Sequence, residues 1–173
     1  AAGGHFEITI ASPGISEFSE LYQAAARVSN EVISEVEFAW RESAASSRWV
    51  AVTGTNGKTT VTALTAHLLK SAGLRAAAVG NIGDTCISAV GANAADVYVA
   101  EVSSYQLAST KRFAPNVAVM LNITPDHLHW HHTLENYRDA KFKLLDNLAS
   151  VPGAVAVMDA SNDVVRAKVR QLR

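Results

Sequence analysis

One cysteine, Cys86, stands in 173 residues. An internal disulfide framework is excluded, and the chain suits a reducing compartment. No apolar run reaches the roughly eighteen residues that a membrane-spanning helix needs. No stretch reads as a secretory leader. There is no basic tract either: 15 Lys and Arg stand against 16 Asp and Glu, for a net charge of −1. Nucleic acid is not an expected partner on electrostatic grounds. No internal repeat or low-complexity tract is evident. With 49% hydrophobic and 18% charged residues, the composition is that of a globular protein. Its length suffices for one sizeable core, or one and a half small domains. A soluble, cytoplasmic protein without a membrane partner is expected.

What is present begins with Thr53-Gly54-Thr55-Asn56-Gly57-Lys58-Thr59-Thr60. The apolar run Trp49-Val50-Ala51-Val52 leads into it, and Val61, Leu64 and Leu68 follow at helical spacing. The reading is strand, glycine loop, helix. Backbone N–H groups of such a loop and the helix N-terminus converge on one point, a ready site for the phosphates of a nucleotide. Lys58 would meet the β- and γ-phosphates, and the Thr59 hydroxyl would ligate Mg²⁺. The common phosphate-loop pattern has a glycine where this chain has Val52, so the loop here is shorter. The competing reading is an incidental glycine turn. Gly-Lys-Thr at a strand-to-helix junction favours the phosphate site.

Strands are expected over residues 5–11, 31–34, 49–52, 75–79, 97–102, 117–123 and 154–158. Helices are expected over 21–28, 35–46, 58–72, 84–90, 134–148 and 164–172, with a helical turn at 105–110. Small polar residues at 43–47 suggest a domain junction. The alternation predicts an α/β fold, a mostly parallel sheet flanked by helices. Ligands then bind beyond the carboxyl ends of the strands.

Several polar residues fall at those ends. Glu101 closes the buried run Val97-Tyr98-Val99-Ala100. A buried carboxylate needs a partner, and beside a phosphate loop Mg²⁺ is favoured over a salt bridge. His127 follows Asn122-Ile123-Thr124-Pro125-Asp126 and could ligate metal, act as acid or base, or cap the loop. His129, His131 and His132 lie close by, but without cysteine or suitable spacing no dedicated zinc site is expected. Lys141 reads on periodicity alone as a solvated helical lysine. Gly80-Asn81-Ile82-Gly83 is a turn that could present Asn81. Ser103-Ser104 lacks the context of a nucleophile.

Taken together, the glycine loop, Asn81-Ile82-Gly83, Glu101-Val102-Ser103-Ser104-Tyr105-Gln106-Leu107, Leu121-Asn122-Ile123-Thr124-Pro125-Asp126-His127 and the span from Glu135-Asn136-Tyr137 to Ala140-Lys141 resemble the Mur ligases. The short loop is that family's own form. Ala11-Ser12-Pro13-Gly14-Ile15 and Asn81-Ile82-Gly83 resemble its D-glutamate-adding member. The resemblance implies an ATP-dependent ligase of peptidoglycan precursor synthesis. It would join D-glutamate to UDP-N-acetylmuramoyl-L-alanine through an acyl phosphate. Gly54, Thr55, Asn56, Gly57, Lys58, Thr59 and Thr60 would hold ATP. Thr59 and Glu101 would bind one Mg²⁺ and His127 a second. Lys141 would be carbamylated and become a metal ligand. Ser12, Pro13, Gly14 and Asn81 would line the UDP-substrate site. Lys58, His127 and Lys141 would be the catalytic set.

Two departures stand out. His129 occupies a position where the family commonly has Asp. Family members also run to three domains. The resemblance therefore implies that residues 1–46 are the tail of the UDP-substrate-binding domain and 47–173 an incomplete central ATP-binding domain, with the amino-acid-binding domain absent. Such a fragment is expected to be inactive alone and to self-associate through exposed apolar surface, its parent being monomeric. The alternatives are another Mur ligase, a folylpolyglutamate synthase, or a nucleotide-binding module that does not ligate.

Overall fold

Strand β3 (Arg48–Thr53) forms the middle of a five-stranded sheet. The computed structural model describes residues 4–172. Ahead of β3, strands β1 (Phe6–Ala11) and β2 (Ser29–Ser34) form a separate parallel pair, with helix α1 (Glu20–Arg27) between them. Helix α2 (Glu35–Glu42) follows β2 directly. The main sheet adds β4 (Ala76–Gly80), β5 (Val97–Glu101), β6 (Val117–Met120) and β7 (Val155–Met158), in the order β4-β5-β3-β6-β7. Every pair is parallel. All five carboxyl ends therefore share one edge, where the expected site residues lie.

The crossovers are helices α3 (Lys58–Ser71), α4 (Cys86–Gly91), α5 (Ser104–Ala108), α6 (Leu128–His131) and α7 (Leu134–Phe142), with α8 (Asp163–Gln171) after β7. None is long and apolar enough to cross a membrane among the described residues. The main core lies on the α2/α4 face. Trp49 packs on Tyr98 and edge-on to Phe113, with Ala51, Val79, Leu107 and Leu144 around them. Val36 and Ala39 of α2 are wholly buried in this same core. Residues 43–47 connect α2 to β3, and Ser43 accepts a hydrogen bond from the Trp49 indole at 3.0 Å.

The opposite face is covered by α3, whose buried residues are Thr62 and Ala66. Leu64 and Leu68, which marked the helix in sequence, are more than half exposed. Val155 and Val157 of the edge strand β7 are about equally exposed. The expected strand at 117–123 stops at Met120, because residues 121–124 bend to grip the glycine loop. The expected helix at 134–148 ends at Phe142 and continues as two short 3₁₀ turns. Helix α6 has no periodic signature. It begins and ends at residues with positive φ, His127 (52°) and His132 (67°).

Gly80 holds φ at +100°, and a Cβ there would lie 2.6 Å from the Glu101 carbonyl oxygen. Gly80→Ala thus combines backbone strain with a clash against backbone. The expected loss is roughly 2–5 kcal/mol. For a chain of this size that is a fall of about 5–15 °C in Tm. A thermal scan of the variant checks it, and a fall below about 2 °C would contradict the close approach.

Candidate active site

The glycine loop leaves β3 at Thr53, whose hydroxyl donates to the Val102 carbonyl at 2.8 Å and ties the loop's base to the end of β5. Gly57 turns the chain into α3 with φ at +82°. The three preceding carbonyls are all engaged. Lys141 Nζ donates to Gly54 O at 2.9 Å, Lys58 Nζ to Thr55 O at 3.0 Å, and Asn122 Nδ2 to Asn56 O at 3.1 Å. The N–H groups of Thr55 and Asn56 are also taken, by the backbone carbonyl and Oδ1 of Asn122 at 2.8 and 2.9 Å. The first amides of α3 have no intrahelical partners by helix geometry. What remains open to an anion is the Gly57–Thr60 turn. The Lys58 side chain reaches back to the Thr55 carbonyl, and Thr59 and Thr60 are exposed.

Glu101 lies beside this turn because Val52 and Glu101 are paired in the sheet. It is 2% exposed. Its Oε1 accepts from Asn81 Nδ2 at 3.0 Å, while the buried Oε2 has no partner. A half-satisfied buried carboxylate is costly, and its free oxygen is suited to a cation.

Lys141 is not the solvated helical lysine that periodicity suggested. It is 1% exposed, and its ammonium lies 4.9 Å from the centre of the Tyr137 ring. Burial, then repulsion from Lys58, pulls its pKa down from 10.5 to about 7; Asp126 opposes the shift. An amine at that pKa is substantially neutral at physiological pH, the form that reacts with electrophiles.

His127 sits at the start of α6, half-exposed. Its N–H donates to its neighbour's carboxylate, Asp126 Oδ1, at 2.7 Å, and its Nδ1 is 3.5 Å from the same atom. Its ring meets Tyr105 and Tyr137. The other histidines diverge. His129 and His132 are exposed, and His132 stacks on Phe18. His131 is buried, with Nε2 2.9 Å from Ser104 Oγ. Burial, followed by the charges of His127, Lys141 and His129, lowers its pKa to about 4, so it is a neutral ring. Among the described residues no three His, Cys, Asp or Glu side chains converge as a metal cage. Ser103 is used as the N-cap of α5 in a reciprocal box with Gln106.

The structure thus brings the glycine loop, Asn81, Glu101 and Lys141 together at one sheet edge, with His127 reached through Tyr137. Ser12, Pro13 and Gly14 form an exposed turn after β1. That turn approaches the site only indirectly, through Ser16, which donates to the Trp130 carbonyl of α6 at 3.1 Å. Sequence reasoning missed two contributors. Asn122 holds the loop, and the buried Tyr137 hydroxyl lies 2.8 Å from Thr55 Oγ1. The spacing of Tyr137 and Lys141, four apart on one helix face, was the available signal.

The family model for the Mur ligase middle domain matches residues 52–172. The chain belongs to the Mur ligase family. It is 47% identical over 145 residues to the UDP-N-acetylmuramoylalanine--D-glutamate ligase of Alkaliphilus metalliredigens, covering 83% of this chain and 31% of that protein. The enzyme of the same name from Geobacter metallireducens is 42% identical over 154 residues, which is 88% of this chain and 34% of the relative. The chain therefore spans about a third of the length of these curated relatives. The fold is shared with the MurF ligase of Thermotoga maritima in complex with ADP (TM-score 0.62, 19% identity, 97% of this chain and 46% of that one). A folylpolyglutamate synthase mutant from L. casei is similar at TM-score 0.51 and 21% identity, over 79% of this chain and 47% of its own.

Proposed function

We propose that the full-length protein carrying this chain is a cytoplasmic, ATP-dependent ligase that joins D-glutamate to UDP-N-acetylmuramoyl-L-alanine. In this reading residues 1–46 belong to a UDP-substrate domain and residues 47–173 to the ATP-binding domain. The observation that carries the nucleotide half is the glycine loop. Every carbonyl from Gly54 to Asn56 is turned onto a donor, and the Gly57–Thr60 amides are left for an anion. The substrate half is supported by the relatives' names.

The residues also suit a divalent cation. Glu101 offers an unpartnered carboxylate oxygen and Thr59 an exposed hydroxyl. This is the sparse oxygen set that Mg²⁺ tolerates because it keeps several waters. Thr59 and Glu101 would hold one Mg²⁺, and His127 with a carbamylated Lys141 a second. When bound, the cations neutralise charge on the phosphoryl oxygens.

The chain's own residues do the rest. Lys58 leaves the Thr55 carbonyl to meet the β- and γ-phosphates. The amides at the start of α3 orient them. Lys141, neutral at its lowered pKa, attacks carbon dioxide through Nζ and releases one proton, becoming a carbamate anion. The substrate carboxylate attacks the γ-phosphorus, ADP leaves, and the D-glutamate amine then displaces phosphate from the acyl phosphate.

The test uses the full-length protein with UDP-N-acetylmuramoyl-L-alanine and Mg-ATP. Phosphate release is expected with D-glutamate and not with L-lysine or diaminopimelate. Lys58→Ala is expected to lower it on the order of a thousandfold. Release with another amino acid would reassign the substrate, and release with folate would move the protein to folate chemistry. The 173-residue chain alone is expected to give no turnover in the same assay.

A further inference from the structure

We infer that Asn122 is a positioning residue that fixes the phosphate loop in its anion-accepting shape before any nucleotide arrives. The inference rests on the nucleotide-binding reading above and names the group that prepares that site. Asn122 lies two residues past the end of β6, and its carboxamide holds both backbone polar groups of Asn56. Oδ1 accepts from the Asn56 N–H at 2.9 Å, and Nδ2 donates to the Asn56 carbonyl at 3.1 Å. The Asn122 backbone carbonyl accepts from the Thr55 N–H at 2.8 Å. Asn56 is thus paired as though one more rung of sheet had been added between the loop and the end of β6.

The neighbours reinforce the grip. Leu121 N donates to Thr53 O at 3.0 Å, and the Leu121 Cβ lies 3.0 Å from where a Gly54 Cβ would stand. The Thr124 N–H donates to Thr55 Oγ1 at 3.0 Å. Residues 121–124 therefore brace the first half of the glycine loop, residues 53–56, and the same segment runs on to His127.

Two consequences follow from the chemistry. With Asn122 in place the Asn56 carbonyl cannot rotate toward the phosphate, where its lone pairs would repel the anion. The loop is also ordered before binding, which lowers the entropy lost when the anion arrives. A carboxamide offers an acceptor and a donor side by side in one plane without ionising. Aspartate has the same shape but no donor. It would set a negative charge against the Asn56 carbonyl and near the incoming phosphates.

The experiment compares Asn122→Ala and Asn122→Asp with wild type in the full-length protein. One arm follows amide hydrogen exchange of residues 54–60 without nucleotide. The other titrates Mg-ADP calorimetrically. Asn122→Ala is expected to speed exchange at Asn56, whose N–H loses its acceptor, and to weaken ADP binding, each by roughly 10- to 100-fold, as two lost hydrogen bonds imply. Asn122→Asp is expected to bind ADP more weakly still, and its native shape keeps the test alive if the alanine variant does not fold. Wild-type exchange at Asn56 in the alanine variant would overturn the inference. So would ADP affinity within about twofold of wild type in a variant whose Tm has fallen, since that is a structural contact only. Failure of wild type to bind ADP would instead remove the nucleotide reading, and the exchange arm would still decide whether Asn122 sets the loop.

Discussion

Lys141→Met is expected to give a protein more stable than wild type near pH 6 and devoid of ligation. The buried ammonium makes one hydrogen bond, to Gly54 O, and lies against the Tyr137 ring. Burial and Lys58 hold its pKa near 7, against 10.5 for an ordinary lysine, with Asp126 as the opposing charge. The sign follows from which state holds the proton. Between pH 7 and 10.5 the unfolded chain binds a proton that the folded chain has released, so wild-type stability rises with pH by about 1.4 kcal/mol per unit. Below pH 7 both states are protonated and the full penalty stands. Methionine removes the penalty at all pH values, at the cost of one hydrogen bond of about 1–3 kcal/mol. The Tm advantage of the variant should therefore be greatest at pH 6 and shrink steadily toward pH 9. Thermal scans across that range check it, and a pH-independent difference would refute the lowered pKa. Activity is expected to fall on the order of a thousandfold, since the variant has no amine to convert into an anion.

Glu101→Gln is the complementary case. The native carboxylate is buried with one oxygen unpartnered, so neutralising it should stabilise the empty protein by roughly 1–3 kcal/mol. For a protein of this size that is a rise of about 2–10 °C in Tm. Addition of Mg-ATP should then reverse the ranking. Wild type gains stability by ligand linkage, whereas the glutamine variant, lacking the anionic ligand, gains little. Phosphate release is expected to fall at least a hundredfold. Equal stabilisation of both proteins by Mg-ATP would show that Glu101 takes no part in holding the cation. Both substitutions exchange function for stability, as expected where charges are buried for a ligand's sake.

Much of the site was legible because its chemistry is local. The glycine loop declares itself by the residues that a strand-to-helix turn around phosphate requires, and Glu101 by being charged in an otherwise apolar strand. What could not be read depends on long-range packing. Lys141 shares its helix with Glu135, Arg138 and Asp139, and nothing in that spacing tells it from a solvated neighbour. It is buried because the glycine loop lies over it. Asn122 is an ordinary loop asparagine until Asn56 is brought beside it. On α3 the sequence even pointed outward: Leu64 and Leu68 mark the helix but face solvent, while Thr62 and Ala66 meet the sheet. Helix α6 escaped because four residues carry no period, and its ends depend on two histidines with positive φ.

The strand order has a consequence for the way the chain is made. β3 is the first strand of the main sheet to be synthesised, yet it ends in the middle, with Val50 paired to Val99 on one side and Val117 on the other. At about 5–20 residues per second, a ribosome needs seconds to deliver the first of those partners. For that time the apolar β3, and the glycine loop behind it, have no sheet to join. The segment that will grip the loop comes later still. The glycine loop therefore takes its folded shape only after residue 122 has emerged, late in the synthesis of this region, and until then Trp49 and its neighbours are open to whatever shields apolar chain in the cell.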